Sequence, residues 1–68
     1  MSSVARVTEI TSASSKSFGD AVDKGIARAN QTLKNVRGAW IKEQKVTVEK
    51  GKVSEYRVTM KVTFVLTD

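Results

Sequence analysis

Val53-Ser-Glu-Tyr-Arg-Val-Thr-Met-Lys-Val-Thr-Phe-Val-Leu66 decides the fold. Ser54, Tyr56, Val58, Met60, Val62, Phe64 and Leu66 fall on one side of an extended chain. Val53, Glu55, Arg57, Thr59, Lys61, Thr63 and Val65 fall on the other. Apart from Ser54 the first set is apolar, whereas the second is mostly polar or charged. Alternation with period two marks a strand with one buried and one wet face. Fourteen residues is long for a strand, since typical ones run about 5–6 residues. The strand is the floor of the fold, and its wet face is where a function is to be sought.

The rest of the chain has little mass with which to cover such a strand. Sixty-eight residues make one domain. A domain of about 60 residues buries only about 60% of its unfolded surface and is marginal alone. Small scaffolds gain stability from disulfides, metals or partner subunits. There is no Cys and no His, which excludes disulfides, thiolate metal sites, common zinc sites and His-based acid–base catalysis. Self-association remains. The net charge of +5 favours anionic partners or a solvated basic surface. No apolar N-terminal run suggests a signal peptide. No stretch approaches the about 20 apolar residues of a membrane span. A cytoplasmic protein without a membrane partner is expected.

Upstream, Val4 to Ile10 is β-branched and of mixed polarity, which predicts a short strand. The Ser/Thr cluster from Thr11 to Lys16 predicts a loop. Ser17 and Asp20 form a variant capping box that opens a helix. Phe18, Val22, Ile26, Ala29, Leu33 and Val36 follow at helical spacing. Lys34 and Arg37 suit a last turn, and Gly38 is the expected stop. Gly25 inside the helix costs about 1 kcal/mol relative to Ala, which implies close approach to the sheet or to another subunit. Ala21, Gly25, Arg28 and Thr32 make a second face with small members.

Ala39 to Val48 predicts a second long strand, with Ala39 and Ile41 on one face and Trp40, Lys42 and Gln44 on the other. Glu49-Lys50-Gly51-Lys52 is a turn in which Gly supplies a positive φ. The order is β-α-β-β, an α+β fold, with the helix stripe covering the apolar face of the last strand.

Catalysis is poorly supported. There is no G-x-S-x-G and no Gly-rich phosphate loop. Glu43 and Glu55 could meet across the hairpin, but pairing of each with Lys or Arg is the commoner outcome. Binding is better supported. The wet face offers Arg57 and Lys61, with Lys42, Gln44 and the only Trp, Trp40, from the neighbouring strand. Such a Trp stacks on a planar ligand or anchors a subunit interface. Nucleic acid is disfavoured, because Phe18, Tyr56 and Phe64 all fall on the core face.

Three segments resemble the dodecin family. They are F-G-D-A-V-D-K-G-I-A-R-A-N-Q-T-L-K-N-V-R (Phe18 to Arg37), E-Q (Glu43-Gln44) and G-K-V-S-E-Y-R-V-T-M-K-V-T-F-V-L (Gly51 to Leu66). The resemblance spans nearly the whole chain as a single domain, residues 1–68. It implies a three-stranded antiparallel sheet partly wrapped around one helix and a hollow homododecamer. It also implies a non-catalytic shell that stores or buffers flavin, FMN or riboflavin. In the family, flavins bind in pairs at two-fold axes, stacked on a Trp, held by a Gln, with basic residues near the phosphate tails.

The sequence departs from that pattern at the ligand. The stacking Trp aligns with Gly38, the Gln with Arg57, and a basic position with Val65; Lys45 keeps its basic character. The implied ligand residues are therefore Trp40, Gln44, Lys45 and Arg57, in an altered or lost flavin site. Either Trp40 stacks from a shifted position, or Trp40 and Arg57 fill the vacated pocket and close it; the closed pocket is the expectation. Two further functions stay open. One is a structural or regulatory assembly with metal ions on symmetry axes, where one repeated carboxylate leaves no spacing signature. The other is an anion or nucleic-acid binder.

Overall fold

A computed structural model describes residues 4–66. Strand β1 (Ala5–Ser14) is followed by helix α1 (Phe18–Thr32), strand β2 (Val36–Glu49) and strand β3 (Lys52–Val65). The three strands form one antiparallel sheet in the order β1-β3-β2. The alternating strand read from the sequence is thus the central one, paired on both sides.

The helix covers one face of β3 and β1 and barely touches β2. Val58, Met60 and Val62 are completely buried beneath it, together with Ala21. Ile10, Phe18, Val22, Ile26 and Val36 pack around this centre. The buried line of the helix is Ala21, Gly25 and Ala29, so the small residues make the contact and the larger apolar ones flank it. Gly25 shows why. A Cβ there would collide with Met60 Cε and lie 3.0 Å from Ser12 Cβ. Its helix-propensity cost of about 1 kcal/mol is offset by letting α1 sit directly on the sheet.

Ser17 caps α1, its Oγ accepting from the Asp20 backbone N–H at 2.9 Å. The Asp20 carboxylate does not reach back to complete a capping box. It accepts instead from Ser14 Oγ at 2.5 Å and pairs with Lys24 Nζ at 3.1 Å. This ties the end of β1 to the first turns of the helix. The Ser14 hydrogen bond and then Lys24 hold the Asp20 carboxyl below its ordinary 3.8. A lowered folded-state value means the tie stabilises above the ordinary value and is lost as pH falls through the lowered one. Asp20→Asn is therefore expected to lower the melting temperature near about pH 7 and to cost less near about pH 3. Thermal melts at both values test this; an equal gap at both would contradict it.

Three expectations are corrected. The Ser/Thr segment Thr11–Ser14 is strand rather than loop, because β3 is long enough to pair with it as far as Ser14↔Tyr56. The helix stops at Thr32, not at Arg37. Leu33 is already extended and Asn35 adopts φ 61°, so the chain turns back before Gly38. Val36, which continued the helical spacing, lies in β2 opposite Phe64. The second strand consequently runs Val36–Glu49 rather than Ala39–Val48. The turn is as read. Lys50 and Gly51 have φ of 52° and 77°, both positive, as a two-residue type I′ hairpin requires.

The chain is far from compact. Its extents are 54 × 20 × 13 Å and its radius of gyration is 14.1 Å, against about 11 Å for a globular chain of this length. Every residue of β2 after Val36 is exposed. Val46, Val48, Val53, Ile41 and Trp40 are among the large apolar side chains left in the open. A free-standing hairpin of this kind has little reason to persist in water without covering partners.

Candidate functional site

The face of the sheet away from α1 carries the chemistry, and the register fixes its rows. Residues directly opposite in neighbouring strands share a face. Val7, Thr63 and Gly38 make one row; Glu9, Lys61 and Trp40 the next. Thr11, Thr59 and Glu43 follow, then Ala13, Arg57 and Lys45. Lys42 sits where the register shifts between Ile41 and Glu43. Its Nζ reaches across β3 to Glu9 Oε1 at 3.2 Å. Thr11 and Thr59 share a hydroxyl hydrogen bond of 3.3 Å.

Trp40 is the prominent group. It is 51% exposed and sits beside Lys61, and the one ring pair among the described residues is Phe18–Tyr56. Gly38 is on the same face, two residues along β2, about 6–7 Å away at strand rise. A Cβ at position 38 would meet nothing within 4 Å. A flat, open strip thus runs past Trp40, with its ring available for stacking.

The shift at Lys42 overturns one facial assignment. Gln44 lies opposite Val58, on the helix-side face with Ile41 and Val46, and not with Trp40. Without the bulge, strict alternation would have kept Gln44 beside Trp40. A bulge of this kind has no reliable sequence signature. Arg57 is on the expected face, but its Nε and Nη2 both donate to Glu55 Oε1, at 3.3 and 2.9 Å. Lys61, the cross-strand partner of Trp40, and Arg57 are separated by four residues of β3, about 13 Å. Trp40 and Arg57 of one chain therefore stand in different rows of the face. Glu43 and Glu55 do not meet either: Glu43 faces Thr59, and Glu55 faces Thr47. The cation beside Trp40 is Lys61. The alternation placed it on this face, but only the register shows which side chain it neighbours.

Lys45 and Lys61 enter no ion pair among the described residues. The strip therefore offers a stacking ring and two cations for a planar anion. Among the described residues no three carboxylates cluster to hold a metal ion. No helix among the described residues is long and apolar enough to cross a membrane.

The comparisons with known proteins agree on one family. The profile of the Dodecin family matches residues 4–67. A dodecin from Streptomyces davaonensis is 34% identical with a TM-score of 0.95, the match covering 100% of both chains. A dodecin from T. thermophilus, solved as a tryptophan-to-phenylalanine mutant, is 28% identical with a TM-score of 0.93 over 98% of this chain and 100% of that one. A calcium-chelating dodecin from Mycobacterium tuberculosis, solved with a calcium-binding site, is 29% identical with a TM-score of 0.81 over 94% of this chain and 91% of that one. Among curated protein sequences none matches significantly.

Proposed function

This chain belongs to the dodecin family, and on that premise we propose that twelve copies form a non-catalytic cytoplasmic shell that binds and holds a small planar anion of the flavin type. Stacking in this reading has moved from position 38 to Trp40. The half-exposed, unstacked ring of Trp40 is the observation that carries it. A ring on a sheet face next to Lys61, with Gly38 leaving open space along the same strand, suits an isoalloxazine plane. Lys45 is the cation for a phosphate tail. Arg57, held by Glu55, shapes the rim rather than filling the site. Gln44, turned to the other face, would reach a ligand only from a second copy.

Titration of the assembled protein with FMN and with riboflavin tests this, following flavin and Trp40 fluorescence together. Mutual quenching is expected, because stacking brings the two rings into van der Waals contact. Tighter binding of FMN than of riboflavin is the expected mark of Lys45. No quenching up to high micromolar flavin would end the reading.

A metal-binding shell is the second reading, favoured by the similarity to a calcium-chelating dodecin. The absence of a three-carboxylate cluster among the described residues means that such a site would be assembled from several copies. Calcium titration of the shell by calorimetry tests it directly.

A further inference from the structure

We propose that the groove between α1 and the edge strand β1 is a second binding site, for a small amphipathic anion with a phosphate or carboxylate head and a short apolar body. The groove lies on the opposite side of the sheet from Trp40 and is independent of the flavin-type reading. Its volume is about 440 Å³, within the range of small-molecule pockets, about 300–1,000 Å³.

The lining has the division of labour that such a ligand needs. Ile10 on the strand and Ala29 and Leu33 on the helix side give an apolar floor. Thr8 and Ser12, which flank Ile10 on the same face of β1, present hydroxyls from one wall. Lys24, Arg28 and Thr32 line the other wall at successive four-residue steps of the helix. No carboxylate lines the groove.

The charge arrangement is not one that folding alone favours. Lys24 and Arg28 are like charges at i and i+4, which costs an isolated helix about 0.2–0.5 kcal/mol. Lys24 is balanced by Asp20 at 3.1 Å on its far side from Arg28 in sequence. Arg28 forms no ion pair among the described residues. A guanidinium that forms no ion pair among the described residues, lining the same groove as apolar and hydroxyl side chains, suits a two-oxygen anionic head, which it can hold with two parallel hydrogen bonds. The hydroxyls can donate to the same oxygens. Gly25 makes the geometry possible, since it seats α1 against Ser12 so that helix and strand form two walls.

The test uses the assembled protein and three probes of one chain length: hexyl phosphate, hexanoate and hexan-1-ol. Calorimetry at low salt is expected to show saturable binding of an anionic probe and much weaker binding of the alcohol. The tighter of the two anions identifies the head group. Arg28→Gln combined with Lys24→Gln is expected to weaken binding by about tenfold or more, as loss of charged hydrogen bonds does. Both side chains are exposed; the double variant gives up the Lys24–Asp20 ion pair but no core contact, and an unchanged shell mass verifies that it keeps its fold. Lys52→Gln, beside the hairpin turn, serves as the charge control and is expected to leave binding unchanged. Absence of binding by either anion would overturn the proposal, the groove then being filled by a neighbouring copy. So would equal binding of the alcohol, or a loss as large in Lys52→Gln as in the double variant.

Discussion

Met60→Ala is expected to be the most damaging single substitution in the chain. Met60 is one of the three largest completely buried side chains and lies at the centre of the sheet beneath the helix. Truncating a buried Met to Ala costs about 2–5 kcal/mol through lost transfer free energy and the cavity left behind. Native domains hold only about 5–15 kcal/mol in total, and a chain with five buried apolar residues among those described stands near the lower end. Each kcal/mol shifts the melting point of a domain this size by about 4–8 °C, so a fall of more than about 10 °C is expected. The flexible thioether matters for a second reason: its Cε occupies the space that the missing side chain of Gly25 leaves. Thr59→Ala, one residue earlier and on the opposite face, is the comparison and is expected to cost under about 1 kcal/mol. Melts at equal chain concentration read both, because assembly links stability to concentration. Equal losses for the two would contradict the burial of one face and not the other.

The second large effect concerns the ligand and changes sign between two positions. Trp40→Ala is expected to weaken FMN binding by about tenfold or more, since stacking on an aromatic ring is worth about 1–3 kcal/mol. Gly38→Trp is expected to tighten it by a similar factor. A Cβ at position 38 would meet nothing within 4 Å, and the new ring would stand where the sequence resemblance puts the stacking Trp of the family. Neither substitution touches the core, so both shells should melt like the parent to within about 1 kcal/mol. Fluorescence titration with FMN measures the first pair of effects. If Trp40→Ala binds as the parent does while Gly38→Trp binds more tightly, Trp40 is a subunit anchor and not the ligand plane.

The sequence was legible where one physical constraint dominated. Val58, Met60 and Val62 are buried and Thr59 and Lys61 are not, so the alternation of β3 survived unbroken and named its own core. Ser17 announced the helix start because orphan amides need an acceptor. Gly51 announced the hairpin because a type I′ turn needs positive φ. Legibility failed where two constraints imitate each other. Leu33 and Val36 continue the helical spacing of Ile26 and Ala29, yet Asn35 at φ 61° ends that geometry between them. Thr11 to Ser14 carry loop-like residues, yet a long neighbouring strand supplies pairing that composition cannot reveal. The bulge at Lys42 has no reliable sequence signature, and its consequences are the largest. It sends Gln44 to the other face and gives Lys42 its ion pair with Glu9. It splits the four candidate residues, leaving Trp40, Lys45 and Arg57 together on one face.

β2 is exposed at every residue after Val36, and the hairpin extends a 54 Å chain beyond its helix; the proposed twelve-copy shell is what would cover it. Native mass measurement at low micromolar concentration tests it most directly. A single species at twelve times the 7.4 kDa chain mass is expected. A stably folded species with the mass of one chain would contradict it.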